Sequence, residues 1–296
     1  MTHSSIKSVL VYDVGGSHVS AAVCREDDFQ LSAIASAHYP AEATSAALID
    51  LFFALGTSAM QHTEGVTGAE MAFPGPFDYA NGISHMKHKL PCLLGVDLRH
   101  SLAERFGFKT ERVRFLNDAA AYLLGEVGAG AGKGVRRCAG VTLGTGIGSG
   151  FAVDGHIVTT GKGVPPNGEI WNLPYEGGIL EDAISTRALQ AHYRDLSGEQ
   201  LEVAQIAARA ASDPHAAEVF ARFGHHLGTA FHTFMAEFEP DAIVLGGGIA
   251  HSAPLFLPQA QAALGSMKTE LRIATLFDKA PLVGAAVAWF EQEKTR

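Results

Sequence analysis

A short apolar strand that stops at glycines, turns and returns as a second strand occurs twice in this chain. No other feature restricts the fold as tightly. Residues 8–14 (SVLVYDV) end at Gly15-Gly16 and resume at residues 19–24; residues 138–143 end at Gly144-Thr145-Gly146-Ile147-Gly148 and resume at 149–153. Valine-rich runs bounded by glycine read as strands, and a glycine turn between them reads as a hairpin. The two units lie about 130 residues apart, far beyond a solenoid period, so they predict two related halves, each with its own sheet.

The remaining pattern alternates strands with helices, an α/β class. Strands are expected near 30–39, at 71–73, 113–116, 242–245 and near 273–276. Helical spacing predicts helices over 40–62, 96–106, 119–127, 179–196, 198–211, 215–237 and 282–290, with Asp97 as a cap or first-turn acid. Hydrophobic residues make up 47% of the 296 and charged residues 18%, enough for a core without disulfides or metal and too apolar for a disordered chain. With 22 basic and 31 acidic side chains, the balance excludes a nonspecific nucleic-acid binder. Cys24, Cys92 and Cys138 form no CxxC pair, which fits a reducing compartment. Residues 1–7 lack a signal-peptide core and no run reaches about 18 apolar residues, so a cytoplasmic protein without a membrane span is expected. The 14 histidines are scattered, with His225/His226 and His85/His88 the close pairs, and read as solvated or capping groups.

Five motifs carry chemistry. In Asp13-Val14-Gly15-Gly16-Ser17, glycine lets bare backbone approach a phosphate, Ser17 adds a hydroxyl, and Asp13 can hold a hydrated Mg²⁺; a tight hairpin with a capping acid fits equally. Gly144, Thr145 and Gly146 begin a second turn whose N–H groups suit an anion. Gly246-Gly247-Gly248 ends a strand on bare backbone, where a flat ring or a plain strand-to-helix turn fits. There is no GxxxxGK[ST], and the first glycine turn leads to a strand, so neither a P-loop nor a dinucleotide fingerprint is present. Asn117-Asp118 stands where a strand becomes a helix, a place suited to a proton acceptor for an alcohol or to an N-cap. Glu169 and Asn172 in the loop 166–172, with Glu181 beyond it, can accept and donate to adjacent hydroxyls or remain solvated charges.

In this order and spacing the motifs resemble the ROK family of sugar kinases, within the actin-like ATPase superfamily, over nearly the whole chain. The resemblance implies a two-domain actin-like (ribonuclease H-like) fold with an interdomain cleft. The expected domains are 1–116, with a final helix 283–296 packing back on it, and 117–282. It implies that 13–17 and 144–148 are phosphate loops, that 246–248 meet adenosine, and that Asp118 is the catalytic base. Asn117, Glu169, Glu181, Asn172 and the Pro-Gly-Pro turn at Gly75-Pro76 would then face the sugar. The chain departs from the family pattern in three places. Asn172 stands where the family has a zinc-binding His; the interval 175–179 has no cysteines, so no zinc site is expected; and Lys89 replaces an Asn, which suits an acidic or phosphorylated sugar or a plain surface lysine. The function implied is an ATP- and Mg²⁺-dependent hexose kinase of glucokinase type, acting on a small-molecule sugar without nucleic-acid or membrane partners, and the family allows a homodimer. The alternatives are a sugar sensor without catalysis, a kinase for another hexose or N-acetylated amino sugar, a polyphosphate-using kinase, and a chaperone-like ATPase. With only about seven residues before the first strand, a DNA-binding domain is not expected.

Overall fold

Val9 and Val11 of the first strand face one helix layer, and Leu10, Tyr12 and Val14 face another. That alternation follows from the two-residue period of a strand and sets the layering of the N-terminal half. The computed structural model describes residues 7–295 other than Ala33 and His62; expectations placed on residues 1–6, 33, 62 and 296 lie outside the described residues. The chain forms two compact units, one running through Ala129 and resuming at Lys279, the other Gly130–Asp278.

The first unit holds β1 (Ser8–Val14), β2 (His18–Arg25), β3 (Ala35–His38), α1 (Ser45–Met60), β4 (Ala69–Phe73), β5 (Phe77–Asp78), β6 (Ile83–Ser84), α2 (Leu98–Phe106), β7 (Val113–Asn117) and α3 (Asp118–Ala129), with the C-terminal helix Ala280–Lys294. Its sheet runs β3-β2-β1-β4-β7: the hairpin strands are antiparallel, and β4 and β7 add in parallel to β1. α1 starts at Ser45, later than the spacing suggested, because the Thr44 hydroxyl accepts from Ala47 N at 3.2 Å and caps it. Asp97 caps α2 through His100 N at 2.9 Å. Leu282, Ala285, Ala286, Trp289 and Phe290 of the C-terminal helix cover the Val9/Val11 face.

The second unit holds β8 (Arg137–Leu143), β9 (Ile147–Val153), β10 (His156–Ile157), β11 (Pro174–Tyr175), β12 (Gly178–Ile179), α4 (Leu180–Ala183), α5 (Thr186–Ser197), α6 (Val203–Arg209), α7 (Pro214–Met235), β13 (Ala242–Gly246), α8 (Ala253–Ala263) and β14 (Glu270–Ile273). Its sheet, β10-β9-β8-β13-β14, repeats the strand order and directions of the first. The helix expected over 179–196 is broken at Ile184-Ser185, where the Ser185 hydroxyl starts α5 by accepting from Ala188 N at 3.4 Å. The last strand lies at Glu270–Ile273, three residues earlier than expected. α8 escaped the sequence reading because Pro254 and Pro258 lie in it; the first sits in the opening turn, where a missing N–H costs nothing. No helix of the described residues is long and apolar enough to cross a membrane.

α3 belongs to the first compact unit, so the division falls after Ala129 and not after 116. A Cβ on Gly284 would fall on the Ala121 carbonyl oxygen, and one on Gly125 on that of Ala280, so α3 and the C-terminal helix touch backbone to backbone. Nothing larger than hydrogen fits there, and overpacking a close contact costs roughly 1–3 kcal/mol. Gly284→Ala should therefore lower the thermal midpoint by several degrees; an unchanged midpoint would mean that the two helices separate without cost.

Glu70 in the middle of β4 is fully buried, and neither carboxylate oxygen has a hydrogen-bond partner. Its register partner Arg114 pairs instead with Glu293, bonds Gln292 at 3.2 Å and stacks on Trp289 at 4.1 Å. Burial pushes the Glu70 carboxyl from 4.5 up to about 8, against the opposing pull of Arg114 and Arg99. The folded chain thus binds a proton that the unfolded chain has released; the stabilisation is complete below the ordinary carboxylate range and is lost as pH rises through about 8. Thermal midpoints from pH 6 to 9 should fall more steeply for the natural chain than for Glu70→Gln. Parallel curves would show that Glu70 is already ionised in the fold.

Candidate active site

In the first unit the candidate residues collect where parallel strands end. Asp13 is half-buried near the end of β1 and pairs in register with Ala72 of β4, while Phe73 at the end of β4 pairs with Asn117 at the end of β7. Asp13, Gly15, Gly16, Ser17, Gly75, Pro76, Asn117 and Asp118 therefore share one sheet edge, the edge at which α/β sheets place ligands. Gly15 N donates to His18 O at 2.9 Å, the Tyr39 hydroxyl donates to Gly15 O, and Tyr39 N donates to Ser17 O at 3.1 Å. These bonds pin the turn and leave Gly16 and Ser17 exposed.

Asn117 caps α3: its Oδ1 accepts from Ala120 N at 3.1 Å, and its Nδ2 donates to the Tyr79 hydroxyl at 3.2 Å. The Tyr79 hydroxyl in turn donates to Phe73 O at 3.1 Å, which ties the Pro74-Gly75-Pro76 turn, with its cis Gly75-Pro76 bond, to the start of α3. Asp118 is the first residue of α3, half-buried, with Oδ1 accepting from Ala119 N at 2.8 Å. A carboxylate there is stabilised by the positive end of the helix dipole. The capping role that the sequence left open for this pair falls to Asn117. Lys89 is exposed.

The second unit repeats the device. β8 ends at the turn Gly144-Thr145-Gly146, and its parallel neighbour β13 ends at Gly246-Gly247-Gly248. Gly247 has φ 78°, and a Cβ there would fall on the Leu143 backbone, so the two glycine runs lie against one another. Gly144 N donates to Gly146 O at 3.1 Å, and Thr186 N donates to Gly144 O at 2.8 Å. Thr145 and Gly248 are exposed.

Glu181, expected at the sugar, has its carboxylate on this turn: Oε2 accepts from Ile147 N at 3.0 Å. Glu169 stands on the loop after β10, half-buried, and its Oε2 accepts from Trp171 Nε1 at 3.2 Å. The Ser149 hydroxyl anchors that loop to β9 by donating to Gly168 O at 2.6 Å and accepting from Ile170 N at 3.1 Å. Asn172 is exposed. Tyr79, Ser149 and Trp171 were not singled out in the sequence; only the position of Trp171 between the two glutamates could have drawn attention to it. Among the described residues no three His, Cys, Asp or Glu side chains converge as metal ligands. A separate cavity of about 430 Å³ lies between the β11–β12 hairpin, α5 and α7. There the Tyr175 hydroxyl and Arg222 Nε bond the ring of His226 at 2.9 and 3.1 Å, and burial holds that imidazole below its usual pKa.

The Glu181 brace has a direct readout. Hydrogen exchange at the Ile147 amide should quicken in Glu181→Ala and stay slow in Glu181→Gln, which keeps an acceptor oxygen. Equal protection in all three proteins would mean that the turn holds without the carboxylate.

The model of the ROK family matches residues 9–293. A glucokinase of Thermotoga maritima is 30% identical over 208 residues, 62% of this chain and 64% of that protein, so the chain spans just under two thirds of its length. The N-acetylgalactosamine kinase AgaK of a Shewanella species is 28% identical over 276 residues, 85% of each chain. The crystal structure of a ROK hexokinase from Thermus thermophilus superposes with a TM-score of 0.80 at 24% identity, covering 97% of this chain and 99% of that one. That likeness establishes the actin-like ATPase fold expected from the sequence.

Proposed function

The chain belongs to the ROK family, and from that premise we propose that it is an ATP-dependent sugar kinase that transfers the γ-phosphoryl group to a hexose hydroxyl, with a glucose-type sugar as acceptor. The observation that carries the reading is the placement of Asp118. Its carboxylate sits at the N-terminus of α3, on the same sheet edge as the glycine turn after Asp13. Kinase names among the relatives support the reaction class.

The residues present fit a nucleotide and a divalent cation. At Gly16, Gly144 and Gly248 a Cβ would meet nothing within 4 Å, so bare backbone is open to a ligand at each. The turns Gly15-Gly16-Ser17 and Gly144-Thr145-Gly146 would hold the phosphates through backbone N–H groups other than those of Gly15 and Gly144, which are bonded within the turns, and Gly246, Gly247 and Gly248 would hold the adenosine. Asp13 offers the oxygen donor that Mg²⁺ prefers, through water, and the cation would neutralise phosphate charge. Asn117, Glu169, Glu181, Asn172 and the turn at Gly75 and Pro76 would orient the acceptor.

The chemistry then rests on Asp118. The hydroxyl oxygen of the sugar bonds to the γ-phosphorus, whose bond to the β–γ bridging oxygen breaks, and the hydroxyl proton passes to Asp118, leaving ADP and a sugar phosphate. The transition state spreads charge over the phosphoryl oxygens, so fixed donors and positioning supply most of the acceleration. The bond from Ala119 N fixes the Asp118 rotamer and leaves Oδ2 to take the proton. General-base catalysis contributes about 10²–10⁴-fold. A coupled ADP-release assay over neutral hexoses should show turnover in the natural chain and at least ~100-fold less in Asp118→Asn, with unchanged circular dichroism. Near-normal turnover in the variant would remove Asp118 from the reaction, and no sugar-dependent ADP release from the natural chain would overturn the reading.

A further inference from the structure

Trp171 is an exposed aromatic side chain, 38% accessible, on the loop that carries Glu169. Burying an indole is normally favourable, and an indole left in water with its N–H already bonded presents an apolar surface without a partner. Its Nε1 donates to Glu169 Oε2 at 3.2 Å, and its carbonyl accepts from Glu181 N at 3.0 Å. One residue thus touches both glutamates proposed for the acceptor. The support beneath it is rigid: Ile170 and Leu180 are buried, Leu173 N donates to Ile170 O at 3.2 Å, and Leu180 N donates to Leu173 O at 3.0 Å. Between Lys162 and Arg187 the chain carries Glu169, Glu176, Glu181 and Asp182 and no basic side chain.

We infer that Trp171 is a specificity-determining residue for the acceptor: its N–H sets Glu169 to accept from neighbouring hydroxyls, and its exposed ring is the surface against which a neutral sugar ring lies. The inference rests on the kinase reading and narrows it. A ring of C–H groups edged by hydroxyls matches an indole beside a carboxylate, as binding sites generally combine aromatic walls with a few placed polar groups. The Glu169 carboxylate beside the ring repels an anionic acceptor, so sugar acids and sugar phosphates are disfavoured.

Three measurements on the whole chain test it. Trp171→Phe keeps a ring and loses the N–H; the KM for the hexose should rise about 3–10-fold. Trp171→Ala loses both, and the rise should reach about 10–100-fold, with kcat and the KM for ATP within about threefold of the natural values. Glucuronate and glucose 6-phosphate should be at least ~100-fold poorer acceptors than glucose. The chain has two tryptophans, and Trp289 is buried under Arg112 and Arg114, so a sugar-dependent change in emission should be present in the natural protein and vanish in Trp171→Phe. An unchanged sugar KM in Trp171→Ala, or an emission change that survives Trp171→Phe, overturns the inference while leaving the kinase intact. If no hexose is phosphorylated, the kinase reading fails separately, and the emission titration with glucose still decides whether Trp171 faces a sugar.

Discussion

The five-stranded sheet of the first unit is covered on both faces, and that constraint decides where chemistry can stand. In β1 the residues Val9 to Tyr12 are fully buried whichever face they point to. A polar side chain placed among them would lose its water without gaining a partner. The first acid of the strand is Asp13, near its end, and the corresponding places in β7 and β13 hold Asn117 and the glycines 246–248. The candidate site is thus confined to strand ends because the strand middles are closed to it. Glu70 and its register partner Arg114 are exceptions within the strands: burial pushes the Glu70 carboxyl up to about 8, and Arg114 is paired with Glu293.

Strand ends become useful only when the elements that follow them are held. Both units do this with glycine between helices. α3 is pressed on the C-terminal helix through Gly125 and Gly284, and α7 on α8 through Gly224 and Gly228, where a Cβ would fall on the Phe256 and Ala260 carbonyls. Backbone contact of this kind tolerates no added methyl and little sliding. It fixes the start of α3, and with it Asp118, from a segment more than a hundred residues away in sequence.

That distance explains what the sequence disclosed and what it hid. The glycine turns, the strands beside them and the Asp97 cap were legible because each is decided by chemistry within a few residues. The place of α3 was not: the pattern puts a boundary at 116, whereas the Ala121–Gly284 contact settles it. α8 was hidden by its prolines, and the last strand was displaced because ELRI is half polar, while the apolar residues just after it lie beyond the ladder. At the site, the residue types of the five motifs were readable and their partners were not. Tyr79 meets Asn117 only through folding, and neither Tyr79 nor Trp171 belongs to a periodic or glycine-rich signal. Glu181 is the sharpest case: its sequence context suits a sugar acceptor, and its carboxylate is found bracing the glycine turn.

The position of Glu181 joins two parts of the second unit that the motifs treat separately. The Trp171 carbonyl takes the Glu181 N–H, and the Glu181 carboxylate takes the Ile147 N–H. Two hydrogen bonds thus connect the loop bearing Glu169 to the turn at Gly144–Gly148. The carboxylate bond is charge-assisted and sits on a half-buried side chain, so it is stronger than its neutral neighbours. A turn of bare glycines has little stiffness of its own. Its shape comes from Thr186 on one side and Glu181 on the other, so the groups proposed for the acceptor also set the geometry of the groups proposed for phosphate.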